Sequence, residues 1–170
     1  MGRTRTTDVL LPARFLLTMG HFIVTVLVVY GRAASVSAGL SASASSASVA
    51  SATSSLTAAV AISFIAFAVQ LGGLILGGTL LFNQLNLFHA VAHFFGGVLT
   101  AWFVIGGWGY LSYWCAVRDP FHSRTEQAAL TASFSVSTNA RPIMIIFNLL
   151  PAIVEAIVLA RIRRSKQARP

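Results

Sequence analysis

The sequence predicts an all-α membrane protein, a four-helix transmembrane bundle with both termini cytosolic, and three observations carry that prediction. Apolar residues make up 56% of the 170-residue chain and charged residues 9%, against about 25% charged in a soluble domain. No Asp, Glu, Lys or Arg falls between Arg32 and Arg118, a gap of 85 residues that no water-exposed surface of this size tolerates. The net charge of +8 is concentrated at the chain ends, which favours an anionic lipid surface as partner and argues against nucleic acid. A single cysteine, Cys115, excludes an intramolecular disulfide and a cysteine-based metal site.

Taken in order, residues 1–14 read as a basic cytosolic N-terminus, where Met1, Gly2 and Thr6 match the minimal myristoylation pattern. The first span, 15–31, is short for a hydrocarbon core that takes about 20 helical residues to cross. Its basic start and apolar run also fit a cleavable signal peptide. Residues 32–55 form an Ala/Ser-rich outer loop: ten Ser and eight Ala in positions 33–55 bury too little apolar area to fold alone. The second span, 56–81, runs 26 residues without a charge. Residues 82–86 are a short cytosolic turn, which makes spans two and three antiparallel neighbours. The third span, 87–108, runs into Trp102, Trp108, Tyr110, Tyr113 and Trp114, an interfacial aromatic belt; the belt and an outer loop occupy 109–141. The fourth span, 142–160, opens with Asn139 as a cap and Pro142 in the first turn, and Pro151 bends it near Asn148. Residues 161–170 are a basic cytosolic tail, whose Arg161, Arg163, Arg164, Lys166 and Arg169 meet the headgroups of the anionic cytoplasmic leaflet. With this orientation eight basic residues lie on the cytosolic side, Arg14 among them, and four on the other, as the positive-inside rule requires.

Polar side chains inside spans are costly and so become candidates for a role. They are His21, Gln70, His89, His93, Asn148 and Glu155. At about 1.5 Å of rise per residue, His21, His93 and Glu155 reach a similar depth, with Gln70 and Asn148 nearer the midplane. That layer either fixes helix order, with a histidine as the partner of Glu155, or forms a proton or metal path. The structural reading predicts that Glu155→Gln is tolerated. Gly73 and Gly77 form a GxxxG face on span two, and Gly96 and Gly97 a flat face on span three. No cofactor and no catalytic or metal-ligating residue is expected, because the known patterns for phosphate loops, zinc proteases and serine hydrolases are missing.

Several stretches read in order resemble the transmembrane protein 107 family: Leu11-Pro12-Ala13-Arg14-Phe15-Leu16 leading to His21, Val69-Gln70-Leu71-Gly72-Gly73, Leu81-Phe82-Asn83 leading to His93, Trp108 with Tyr113-Trp114, and Leu150-Pro151-Ala152-Ile153-Val154-Glu155. Gln70 departs from the acid expected there in animal members, residues 117–140 are an insertion, and the Ala/Ser tract resembles nothing in the family. The resemblance implies a non-enzymatic membrane scaffold of the ciliary transition zone, associated with tectonic and Meckel syndrome proteins, which supports cilium assembly and gates the ciliary membrane. The competing class is a small oligomeric proton or metal transporter using His21, His93 and Glu155.

Overall fold

The computed structural model describes residues 2–80, 82–110, 113 and 145–167. Trp114, Arg169, the helix cap Asn139-Pro142 and the insertion at 117–140 lie outside these residues. The described chain forms α1 (Gly2–Gly39), α2 (Ser46–Ile75), α3 (Asn83–Ile105), a π-helical turn (Ile145–Leu149) and α4 (Leu150–Gln167). Four stretches are long and apolar enough to cross a membrane: Asp8–Gly39, Ser46–Ile75, Asn83–Ile105 and Ile145–Ser165. All-α architecture with four spans is therefore the observed class.

The boundaries differ from the sequence reading. The first helix is not a short 15–31 span, because Pro12 and Arg14 are incorporated in α1. At about 1.5 Å per residue its 32-residue apolar stretch exceeds the hydrocarbon thickness and leaves room for tilt. The Ala/Ser tract is not a flexible loop either. Alanine has the highest helix propensity, and the tract is divided between the end of α1 and the start of α2. Ser45 closes the division as an N-cap, accepting from the Ser48 backbone N–H at 3.2 Å. The turn between α2 and α3 comes earlier than 82–86, since α2 ends at Ile75 and α3 already begins at Asn83. Arg161, Arg163, Arg164 and Lys166 continue α4 instead of forming a separate tail. Before Pro151 the backbone widens into the π turn, one helical turn upstream of a residue with no N–H to give.

The helices form a four-cornered bundle in which α1 packs most extensively against α3 and then α2, while α4 packs against α2 and the π turn touches α3. Helices α2 and α3 lie across a diagonal, with little direct contact. The expected antiparallel glycine seam between them is thus absent. Gly73 faces the Glu155 side chain on α4, whereas Gly96 and Gly97 face His21 on α1. Gly77 is not on a helix face. It lies in the α2–α3 turn with φ +73°, where an L side chain is strained. Gly77→Leu is expected to cost about 1–2 kcal/mol through backbone strain, while Gly77→Asn, which tolerates that conformation, retains most of the stability. Thermal denaturation of the detergent-solubilised variants distinguishes this from interhelical crowding, which Asn would not relieve.

Burial differs from that of a soluble bundle: Val28, Leu56, Phe67 and Phe103 are buried as in any core, but large apolar side chains also face outward and polar ones inward. Ile23, Tyr30, Ile65, Phe94, Phe95, Trp102 and Ile157 are exposed, while Arg14, Thr18, His21, Thr25, Ser63, Gln70, Thr79, Asn86, His89, His93, Thr100, Asn148 and Glu155 are buried. Lipid tails accept the apolar exterior, and most of the buried polar side chains find partners on other helices.

Candidate functional site

The buried polar residues recur at alternating three- and four-residue intervals, which places them on one face of each helix. In α1 these are Arg14, Thr18, His21 and Thr25; in α2, Ser63, Gln70 and Gly73 lie along the inner face with Ala59 and Ala66; in α3, Asn86, His89, His93, Gly96 and Thr100. Asn148 and Glu155 complete the set from the fourth segment. Together they build a polar column along the bundle axis, in two clusters.

The lower cluster lies where α1 enters, α2 turns into α3 and α4 approaches its end. Arg14, 1% exposed, places Nη2 3.1 Å from Glu155 Oε2. Its Nη1 donates to Asn86 Oδ1 at 2.8 Å and to Thr79 Oγ1 at 3.3 Å. The Thr79 hydroxyl donates to Glu155 Oε1 at 2.7 Å. His89 Nε2 also lies 3.1 Å from Glu155 Oε2. The Arg14 approach is an ion pair and the His89 approach a close polar contact, both off hydrogen-bond alignment, and His89 Nδ1 has no hydrogen-bond partner among the described residues. Asn86 Nδ2 in turn donates to the Leu80 carbonyl at 2.8 Å, clasping the turn.

This geometry corrects two sequence readings. Glu155 does not pair with His21 or His93; it pairs with Arg14, His89 and Thr79, so the three residues taken as one layer belong to two clusters. Arg14 is not a cytosolic flank residue. Because it lies on the inner face with Thr18 and His21, its guanidinium is carried into the bundle, and its charge is neutralised by the carboxylate. The missed signal was facial: the interval from Arg14 through Thr18 to His21 is four then three residues, whereas depth alone placed Arg14 at the edge.

The upper cluster joins all four helical segments. Thr100 Oγ1 lies 3.3 Å from His21 Nε2, His21 Nδ1 lies 3.1 Å from His93 Nδ1, and His93 Nε2 lies 2.6 Å from Gln70 Oε1. Gln70 Nε2 donates to the Asn148 carbonyl at 3.2 Å, and Asn148 Nδ2 donates to Ser63 Oγ at 3.2 Å. One set of tautomers satisfies this chain. Because the Gln70 oxygen only accepts, His93 Nε2 carries the hydrogen and His93 Nδ1 accepts. His21 Nδ1 then donates, leaving His21 Nε2 to accept from the Thr100 hydroxyl. Phe67 covers both imidazoles, edge-on to His21 with centroids 5.1 Å apart and stacked on His93 at 5.8 Å.

Tyr113, read from the sequence as an interfacial anchor, is fully buried, with its hydroxyl 3.1 Å from Ser63 Oγ. Trp102 is exposed and packs on Trp108 with centroids 5.8 Å apart, while Tyr110 closes over Gly39 at the end of α1. Arg161, Arg163 and Arg164 are exposed on the final turns of α4.

Chemically, the column is a set of interhelical fasteners. The two clusters touch where His89 and His93 stack, with centroids 6.1 Å apart and planes 19° from parallel, a contact without a hydrogen bond. From Thr100 through His21 and His93 to Gln70 the hydrogens point one way and end on the Asn148 backbone carbonyl, which has no proton to pass on. A cation brought to Glu155 would have to displace the Arg14 guanidinium. No group of three or more potential metal-ligating side chains occurs among the described residues.

A family model described as "TMEM107: Transmembrane protein" matches residues 10–118, which takes in nearly all of α1 and the whole of α2 and α3 but stops before Asn148 and Glu155. Rat and mouse proteins named "Transmembrane protein 107" are each 26% identical over 129 residues, 75% of this chain and 92% of the relative. The human protein of that name is 26% identical over 105 residues, 62% of this chain and 75% of the relative. No solved structure gives a significant match. A model that covers more than half of the chain, including three of its four membrane-length helices, establishes that this protein belongs to the transmembrane protein 107 family.

Proposed function

We propose that the protein is a non-enzymatic membrane scaffold of the ciliary transition zone, where it supports cilium assembly and the gating of ciliary membrane-protein composition. The resemblance to the transmembrane protein 107 family is what supports the cellular context in this proposal. The observation that carries the scaffold role is the internal use of the polar column: its side chains lock helices across both diagonals, Arg14 to Glu155 between α1 and α4 and His93 to Gln70 between α2 and α3. A rigid bundle that spends its polar groups on itself suits a component recognised by neighbouring membrane proteins. Tectonic and Meckel syndrome proteins are the proposed partners, and anionic lipids of the cytoplasmic leaflet meet the basic end of α4. Both termini are assigned to the cytosol, a side supported by the basic bias that remains after Arg14 is removed from the count.

The competing proton or metal path through His21, His93 and Glu155 requires Glu155 to join the His21–His93 pair; instead Glu155 lies with Arg14, Thr79 and His89, and the two clusters meet in the His89–His93 ring stack, which carries no hydrogen bond. Imaging a tagged copy in ciliated cells tests the proposal. A ring at the cilium base, with loss of ciliary membrane proteins on depletion, is the expected result; a uniform plasma-membrane signal with normal cilia on depletion overturns it.

A further inference from the structure

Beyond its π turn, the fourth segment diverges from α3. Helix α3 rests against Ile145–Leu149 but makes little contact with α4 itself. The divergence leaves a groove of about 530 Å³ where α3 begins and α4 finishes, within the range of about 300–1,000 Å³ of ordinary ligand sites. Leu85 and Phe88 form one wall and Val154 and Val158 the other, while Phe82, the N-cap of α3, and Arg161, which supplies a cation, lie at the rim.

Val154, Val158 and Arg161 follow one another at four and three residues, so they form one stripe of α4. Seven residues of helix rise about 10 Å, which separates the guanidinium from the deep apolar end. Hydrocarbon below and a single planar cation above complement an amphiphile with a negative head. A free phosphate has no use for the apolar walls, and a zwitterionic lipid gains less from the cation. We propose that this groove holds an anionic glycerophospholipid, with one acyl chain between α3 and α4 and its phosphate on Arg161, where the guanidinium can engage two oxygens. The proposal rests on the reading that this end of α4 meets an anionic leaflet, but it goes further, because general attraction by the basic end would not distinguish one arginine from another. Arg163 supplies the comparison. It lies nine residues from Val154, which at 3.6 residues per turn puts it on the opposite side of α4, and both arginines are exposed.

The test reconstitutes the full chain in phosphatidylcholine vesicles containing a trace of phosphatidylserine or phosphatidylcholine that carries a photoreactive group on one acyl chain. The labelled residues are mapped by peptide mass spectrometry. The serine lipid is expected to label the groove residues preferentially. Arg161→Gln should lower that preference about fivefold, the factor equivalent to about 1 kcal/mol for one basic residue near an anionic surface, and Arg163→Gln should leave it in place. Val158→Trp, which fills the groove, should suppress labelling there by both probes. Equal losses in the two arginine variants would overturn the groove while leaving general attraction of the basic end intact. Labelling spread evenly around the bundle, with no preference for the serine lipid in the unaltered protein, would overturn both.

Discussion

Glu155→Leu is expected to abolish accumulation of the folded protein, because it leaves the Arg14 guanidinium buried without a counter-charge. Removing one partner of a buried ion pair costs about 3–5 kcal/mol, a large part of the about 5–15 kcal/mol that holds a typical domain together. Glu155→Gln is expected to fail as well. A glutamine would suffice if the carboxylate only accepted hydrogen bonds from histidine, as the sequence alone suggested, but it cannot neutralise Arg14. Replacing both members, as Arg14→Met with Glu155→Leu, should recover most of the lost protein, since apolar substitution of a whole buried pair is close to neutral. The measurement is the fraction of detergent-solubilised protein that remains monodisperse after heating. Wild-type survival of the Gln variant would show that charge at Glu155 is immaterial, and failure of the double variant to recover would show that the pair does more than neutralise itself.

A second large effect is expected at Gly96, and its neighbour provides the control. A methyl group on Gly96 would run into the His21 ring and approach Phe147 Cβ to 2.6 Å, a contact that real structures do not show. Neither obstacle moves cheaply, because His21 is bonded to His93 and Thr100 and Phe147 belongs to the π turn. Gly96→Ala should therefore separate α1 from α3, break the His21–His93 contact and cost about 1–3 kcal/mol by overpacking. The same methyl on Gly97 meets its nearest atoms at 3.6 Å, an ordinary contact, so Gly97→Ala should melt close to the unaltered protein. Paired melting curves decide the matter: equal midpoints for the two variants would remove Gly96 from the α1–α3 interface.

Much of this architecture was legible from composition. A charge-free interior 85 residues long points to membrane spans, and part of the buried polar set followed from the cost of placing such residues in hydrocarbon. His21, Gln70, His93, Asn148 and Glu155 were found that way, and all five are buried. Boundaries were less legible, since apolar runs mark where lipid begins and not where hydrogen-bonded helix ends. The Ala/Ser tract shows the difference: it lacks the apolar content to fold alone but has the propensity to continue a helix that the bundle already stabilises. Gly77 shows the converse. Its spacing from Gly73 matched a helix-packing motif, while the chain used its freedom at positive φ to turn.

By itself, then, the sequence determined that four apolar stretches enter a membrane, that their few polar residues turn inward, and that the basic charge lies at the chain ends. Those results depend on transfer between water and hydrocarbon, which each stretch experiences separately. Tertiary structure alone decided the pairing. Whether Glu155 meets His21, His93, His89 or Arg14 depends on how each helix is rotated and which helices are diagonal neighbours, and depth along the chain contains neither quantity. The rotation that places Arg14 inside also places Thr18 and His21 inside, because three- and four-residue spacing holds them on one face of a rigid helix. The same packing turned Tyr113 from the interface into the core and left Arg161 at the mouth of a groove.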